Sequence, residues 1–490
     1  MNRRHAITAA AGGALAACSR PSSRRPNVLF VMTDDHAAGA IGCYGNPLVR
    51  TPVLDRLATE GVRFTNAFCT NSLCAPGRAT VITGTYSHRN RILGNSERKG
   101  AEEHLDQSLA TFPSLLQANG YRTALVGKWH MSDDPRGFDY WCVLPGQGVY
   151  FDPEFIENGQ RRKFPGYASD VTTDLSLRFL ERAGTDKPWC LVYQHKAPHR
   201  PFLPPPRHAH LYDGTEIPYP ETFNDDYATR KVAAAAEDMR FDLSLEPDYA
   251  REIPRGLDRA SKKRWIYQRF VKDYYGAIAG VDDNLGRVLE HLRKTGQYDN
   301  TLIVYTTDNG FFVGDHGWYD KRFMYEPALR VPLIVRPPGG AGGRTAQAMA
   351  VNIDYASTIL DYAGCAIPET MQGVSLRPVI EGSLPWNWRK SMYYAYFENS
   401  WELAGKGKEA MSDPSFAFFT PHRIGPHRGV RTETHKLIHY YSEGEYWELF
   451  DLRADPNELR NLYGQKEFGA LTGELKTELQ RLRRQYLDLA

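Results

Sequence analysis

Five apolar runs of strand length punctuate this chain, and none of them alternates: Asn27-Val28-Leu29-Phe30-Val31-Met32, Thr123-Ala124-Leu125-Val126, Cys190-Leu191-Val192-Tyr193, Leu302-Ile303-Val304-Tyr305 and Val331-Pro332-Leu333-Ile334-Val335. A strand with one wet face alternates apolar with polar residues, whereas a run without alternation belongs in a sheet covered on both faces. Helix signals lie between the runs. Thr51-Pro52, followed by Val53, Leu54, Leu57 and Ala58 and closed by Gly61, has the cap, first-turn proline and terminal glycine of a short helix. Tyr267 to Leu292 carries Tyr274, Ile278, Val281 and Leu285 on one side, the spacing of a sheet-covering helix. After Gly373-Val374-Ser375-Leu376 the pattern shifts to short alternating runs: Met392 to Phe397, Arg428 to Thr432, His435 to Tyr441 and Tyr446 to Asp451. These predict a small antiparallel sheet, and Leu471 to Leu489 a terminal amphipathic helix. The expected class is α/β: a large central, mostly parallel sheet flanked by helices, plus a smaller C-terminal antiparallel sheet with a terminal helix.

Four of the five runs end in polar clusters. The first leads into Thr33-Asp34-Asp35-His36, the second into Gly127-Lys128-Trp129-His130, the third into Gln194-His195-Lys196-Ala197-Pro198-His199, and the Leu302 run into Thr306-Thr307-Asp308-Asn309-Gly310. Any one of these reads equally well as a turn. In a parallel sheet, however, ligands sit beyond the carboxyl ends of strands, so the four clusters are expected to meet in one crevice. Asp34, Asp35, Asp308 and Asn309 would bring hard oxygen ligands there, a set that suits Ca²⁺ better than Zn²⁺.

The segment Ser72-Leu73-Cys74-Ala75-Pro76-Gly77-Arg78-Ala79-Thr80-Val81-Ile82-Thr83-Gly84 is the most specific in the chain. Pro76 fixes its own backbone angle and biases Ala75 away from helix, which predicts Cys74 on a turn with a helix entered from Arg78. Cys, Pro and Arg at these offsets, followed by Val-Ile-Thr-Gly, resemble the sulfatase signature. In that family the Cys is oxidised after translation to formylglycine (3-oxoalanine), whose hydrated aldehyde is the nucleophile. One departure stands out: Gly77 occupies a position where the family usually has Ser or Ala.

The resemblance extends to the strand ends and implies an alkaline-phosphatase-like fold. It implies that Asp34, Asp35, Asp308, Asn309 and the converted Cys74 hold Ca²⁺, and that Lys128 binds sulfate beside a catalytic His130. His195 matches the leaving-group acid. Within Gly314 to Arg336, Lys321 matches a second sulfate-binding lysine. The implied reaction has one hydroxyl of residue 74 attacking sulfur with help from Asp308, while Arg78 and the metal stabilise the oxyanion. His195 then protonates the departing sugar oxygen, and His130 takes the proton that releases sulfate. A sulfate monoester is a poorly electrophilic anion, which explains the need for so many cations, and imidazoles suit proton transfer near neutral pH. His36, His199, Asp315 and His316 remain as candidate pocket-wall, substrate-binding residues.

Lys321-Arg322-Phe323-Met324-Tyr325-Glu326 is most similar to the N-acetylglucosamine-6-sulfatase branch, and His195 to Pro201 to bacterial carbohydrate sulfatases more widely. The implied substrates are sulfated glycans of glycosaminoglycan, mucin or algal type, among them 6-O-sulfated glucosamine units. Two other classes stay open: a phosphodiester or phosphonate monoester hydrolase of the same fold, and a non-catalytic glycan-binding surface lipoprotein if Cys74 is not oxidised. The stretches Arg207 to Pro220 and Glu237 to Asp258 lack periodicity and read as insertions over the crevice rim.

Met1-Asn2-Arg3-Arg4, the small apolar stretch Ala6 to Ala17, and Leu15-Ala16-Ala17-Cys18 resemble a bacterial lipoprotein leader. Cys18 would be the lipidated first residue, followed by a flexible tether through Pro26. An ordinary secretory signal, or twin-arginine export through Arg3-Arg4, is the other reading. The expected location is exported, either periplasmic or membrane-anchored through that lipid, and a formylglycine-generating maturation enzyme is an implied partner. The division expected is 1–25 leader and tether, 26–373 catalytic sulfatase domain, 374–490 C-terminal subdomain. A formal net charge of +2 over 490 residues gives no reason to expect nucleic acid as a partner. Of seven cysteines, the five other than Cys18 and Cys74 show no regular spacing and make no disulfide framework.

Overall fold

All five apolar runs enter one ten-stranded sheet. Its strands lie in the order Arg344–Ala346, Val62–Phe64, Leu333–Arg336, Thr301–Thr307, Asn27–Asp34, Trp189–Pro198, Arg122–Lys128, Tyr140–Leu144, Glu154–Glu157 and Gln160–Lys163. This is a computed structural model, and it describes residues 25–95, 103–230, 239–241, 249, 251–398, 424–441 and 446–489.

From Thr301–Thr307 across to Tyr140–Leu144 every pairing is parallel. Toward the edges the sheet becomes mixed: Leu333–Arg336 runs antiparallel to both its neighbours, and Glu154–Glu157 and Gln160–Lys163 form a hairpin. The run at Val331 therefore starts its strand only at Leu333, after Pro332, which cannot donate to a ladder.

Alternate residues of the central strands enter two different cores, which is why their sequences do not alternate. Phe30, Met32, Val192 and Val304 pack with Val81, Ile82, Phe112, Leu116, Tyr355 and Ile359 on one face. Leu29, Val31, Leu191, Tyr193, Ile303 and Tyr305 pack with Leu54, Leu57, Val171, Leu175, Leu285 and Leu292 on the other. The covering helices of that second face are Pro52–Glu60, Ala168–Ala183 and Arg259–Lys294. The last is longer than its apolar period indicated, because Asp258 caps it by accepting the Ser261 backbone N–H at 2.7 Å.

The helix at Cys74 differs from the expected turn. It begins at Cys74 itself and runs to Thr83, with every residue buried, and Leu73 supplies the extended N-cap. Pro76 is compatible with this because a first-turn N–H has no intrahelical acceptor to lose.

Ser391–Tyr396, His427–Thr432, His435–Tyr440 and Tyr446–Asp451 form an antiparallel meander covered by Gly469–Gln485. Tyr393, Val430, Leu437 and Leu449 share one core with Phe312, Trp318, Phe323 and Leu329 from the segment before Leu333. Buried charges join the same two parts: Lys436 Nζ lies 2.6 Å from Glu458 and 3.0 Å from Glu326. Tyr212 and Ile217 anchor the stretch around Arg207 to Pro220 onto Tyr267, Phe270 and Tyr274 of the long helix. Residues 237–238, 242–248 and 250 of the other expected insertion lie outside the described residues, as does Cys18. Among the described residues all six cysteines are free, and no helix is long and apolar enough to cross a membrane.

Candidate active site

The carboxyl ends of four parallel strands deliver Asp34, Lys128, Lys196 and Asp308 to one buried point, and the Cys74 helix is aimed into it. Carboxylate oxygens of Asp34, Asp35 and Asp308 come within 4.8 Å of one another, as do ligand atoms of Asp34, Cys74 and His199. Cys74 Sγ is 3.4 Å from Asp34 Oδ1.

Three fixed cations balance the three carboxylates. Arg78 Nη2 lies 2.9 Å from Asp308 and 3.3 Å from Asp34, while its Nε donates to Asp308 at 3.0 Å. Its Nη1 is held by the Lys128 carbonyl and by Gln194 Oε1 at 3.0 Å. Lys128 Nζ pairs with Asp34 and donates to Gln147 at 2.6 Å. Lys321 Nζ sits 2.7 Å from both oxygens of Asp35.

Burial alone would raise Asp34, but Lys128, Arg78 and Lys321 together hold its carboxyl well below the carboxylate range. Asp308 moves the other way, pushed to about 7 by burial and then by the Asp34 charge. Burial, reinforced by Asp34, raises the Cys74 thiol far above its ordinary value. As a plain cysteine, residue 74 is therefore a neutral thiol and a poor nucleophile.

Asn309 Nδ2 donates to Asp35 Oδ1 at 2.8 Å, which leaves its buried Oδ1 without a hydrogen-bond partner. An orphaned carboxamide oxygen beside three clustered carboxylates is a donor set for a hard divalent cation. Asp35 adopts φ 64°, which turns its carboxylate toward this cluster instead of along the strand.

His130, at φ 58°, lines a 320 Å³ cleft together with Ala75, Asn95, Glu103 and Gln147. This cleft opens next to Cys74. His199 stands on the cage side, its Nε2 3.7 Å from Asp35 Oδ2 and its Nδ1 3.0 Å from the Arg200 carbonyl.

His195 does not reach this site, which corrects its expected role. It shares a sheet face with Tyr193, packs edge-on against that ring at 4.4 Å, and has its pKa lowered to about 3 by burial. Strand parity explains the outcome: Gln194 and Lys196 point to the cage, so His195 points to the helices behind the sheet. His36 is likewise a structural residue and not a pocket wall, its ring nitrogens 2.8 Å from Tyr305 Oη and 3.1 Å from the Ala40 carbonyl. Asp315 and His316 line a separate 490 Å³ cavity beside Tyr219 and Tyr267, where Asp225 holds His316 Nδ1 at 2.7 Å.

Lys196 and Gln147 escaped the sequence reading. Lys196 Nζ donates at 3.0 Å to the carbonyls of Gln147 and Arg200, and burial, then the Lys128 charge, lowers it to about 7. The signal for Lys196 was strand parity; Gln147 carried none.

Comparison with known proteins decides the family. Residues 26–365 match the family model described as Sulfatase, and residues 314–485 match that of the N-sulphoglucosamine sulphohydrolase C-terminal region. The chain belongs to the sulfatase family. A relative from Bacteroides thetaiotaomicron, an N-acetylglucosamine-6-O-sulfatase, is 39% identical over 97% of this sulfatase and 89% of its own length. A solved structure in complex with its substrate D-glucosamine-2-N,6-O-disulfate superposes with TM-score 0.86 at 38% identity, covering 95% of this chain and 99% of that one. The phosphonate monoester hydrolase of Agrobacterium radiobacter superposes with TM-score 0.74 at 25% identity, over 94% and 96%. The sulfatase is thus a sulfuric ester hydrolase with the alkaline-phosphatase-like fold, on the branch that holds the N-acetylglucosamine-6-sulfatases.

Proposed function

We propose that this sulfatase hydrolyses 6-O-sulfate esters on glucosamine units of sulfated glycans, using formylglycine made from Cys74 and a bound Ca²⁺. The observation that carries the reading is the placement of Cys74 Sγ 3.4 Å from Asp34, at the start of a buried helix inside the carboxylate cage. The substrate class rests on the Bacteroides relative and on the neighbour that holds a sulfated glucosamine.

Asp34, Asp35, Asp308 and Asn309 would hold the calcium, which when bound supplies positive charge to the sulfate oxygens and to residue 74. In hydrated aldehyde form residue 74 supplies the attacking hydroxyl. Three carboxylates already face three cations, so an incoming sulfate anion adds a charge that Lys128 and Lys321 must share with the metal. Asp308, in the same carboxylate cluster, is the residue assigned to take the proton from that hydroxyl. His199 replaces His195 as the acid for the leaving sugar oxygen, and His130 serves the second proton transfer from the cleft wall. Export, with lipid attachment at Cys18, and conversion of Cys74 by a maturation enzyme complete the proposal.

Mass spectrometry of the Cys74 peptide from cells carrying a maturation enzyme, paired with turnover of glucosamine 6-sulfate, tests it. Aldehyde at position 74 and calcium-dependent release of sulfate are expected. Full turnover by protein carrying only thiol would overturn the nucleophile, and preference for a phosphonate monoester would overturn the substrate class.

A further inference from the structure

We infer that the end of the sheet remote from the cage carries a second binding site for anionic, sulfated oligosaccharide; this rests on the substrate class proposed above. Two adjoining cavities of 530 and 510 Å³ lie there, sharing Tyr140, Glu157, Arg178 and Arg182 in their walls. Arg122 and Tyr140 begin the strands whose far ends approach the cage. Arg122 is six residues from Lys128, so the groove lies ~20 Å away along the sheet.

Five lining residues are basic and two acidic. The acids are already engaged. Asp139 accepts from the Thr123 backbone at 2.8 Å and from Gln117 at 2.7 Å, and Glu157 accepts from Tyr140 Oη at 2.9 Å and pairs with Arg162 at 3.0 Å. Arg122 is likewise taken, by Asp186. Arg178 and Arg182 have no hydrogen-bond or ion-pair partner among the described residues, although Asp174, one turn before Arg178, is available to it by spacing. Asp174 pairs with Arg287 instead. The two exposed guanidiniums stand one turn apart on the helix Ala168–Ala183, ~6 Å along its axis, and both face the groove.

Planar guanidiniums suit the oxygens of sulfate and carboxylate groups, and Tyr140 and Phe164 add ring surface to the walls. Each exposed pair contributes little by itself, so the site favours a polyanion that engages several cations at once. Holding a sulfated chain here raises the local concentration of ester groups at the cleft without any part in the chemistry.

The test uses the full chain with Arg178→Ala/Arg182→Ala, beside the charge-reversed Arg178→Glu/Arg182→Glu and a charge-retaining lysine pair. Binding of a size-defined heparin octasaccharide is measured by calorimetry at fixed salt, and turnover of monomeric glucosamine 6-sulfate in the same preparations. Affinity for the octasaccharide should fall roughly tenfold in the alanine pair and further in the glutamate pair, with the lysine pair between the parent and the alanine pair. Monosaccharide kcat/KM should not change. Octasaccharide affinity equal in parent and both charge-removed variants overturns the groove site. Failure of the parent to turn over the monosaccharide overturns the proposed substrate and leaves the binding comparison standing.

Discussion

Gly77 passes so close to Asp308 that a Cβ at position 77 would stand 2.5 Å from the Asp308 carbonyl oxygen. The Cys74 helix and the Thr301–Thr307 strand end are thus in backbone contact at the residue proposed to bind metal and move a proton. The glycine where the family usually has Ser or Ala is a packing requirement of this chain.

Gly77→Ser should therefore cost about 1–3 kcal/mol of stability and shift Asp308. Turnover normalised to the aldehyde content of position 74 should drop at least roughly tenfold, since small displacements in a site of this kind are expensive. Denaturant unfolding, mass spectrometry and steady-state kinetics on one preparation check this. Unchanged normalised turnover would show that the contact does not constrain the site.

His199 and His195 should separate by substrate. General acid help matters most for a poor leaving group, so His199→Ala should slow a sugar sulfate by roughly 10²- to 10⁴-fold and an aryl sulfate with an acidic phenol much less. His195→Ala, behind the sheet, should lower the melting temperature and leave the ratio of the two substrates as in the parent. A selective loss on the sugar sulfate in His195→Ala would return the acid role to His195.

Lys436 is fully buried between Glu326 and Glu458, with Arg431 3.1 Å from Glu326. Removing the lysine strands the Glu458 carboxylate in the core shared by the C-terminal meander and the segment before Leu333, while Glu326 keeps Arg431 and Arg330, the latter at 2.7 Å. Lys436→Met should cost about 3–5 kcal/mol, and adding Glu458→Gln should recover part of it. Chemical denaturation of the two variants measures this; a single-variant loss under about 1 kcal/mol, the range of an exposed pair, would refute the buried assignment.

Asp282 gives a pH dependence whose sign follows from its surroundings. Its oxygens accept the Val53 and Leu54 N–H groups at 3.0 and 2.9 Å, yet burial dominates and pushes the carboxyl to about 7. Between pH ~4 and ~7 the folded chain keeps a proton that the unfolded chain releases, so stability falls as pH rises through that window and levels off above it. Across that window the effect is on the order of 4 kcal/mol. Asp282→Asn should remove this component, so the parent loses stability relative to the variant from pH 5 to pH 8 in urea unfolding. A difference that stays constant with pH would count against it.

Much of the cage was legible from local sequence because its residues follow directly on unalternating strands: Asp34 and Asp35 after Met32, Lys128 after Val126, Asp308 and Asn309 after Tyr305. The family resemblance around Cys74 supplied the position proposed for the nucleophile. Legibility ended where the chain leaves the strand. Asp35 and His130 take left-handed backbone angles that break the two-residue period, and His199 lies past the strand's last residue, so its side could not be counted from Cys190. His36 and His316 drew attention as histidines near the motifs, yet Tyr305 and Asp225, far away in the chain, claim their rings.

By itself the sequence determined which residue types arrive at the crevice, because apolar runs without alternation must be covered on both faces and their polar ends must then emerge together. Only the tertiary structure decided which of two neighbouring histidines enters it, that the helix starts at Cys74, and that Gly77 must be glycine. Each of these depends on which atoms of distant segments occupy the adjoining space, and close packing between Asp308 and the Cys74 helix leaves no room that local propensity could reveal.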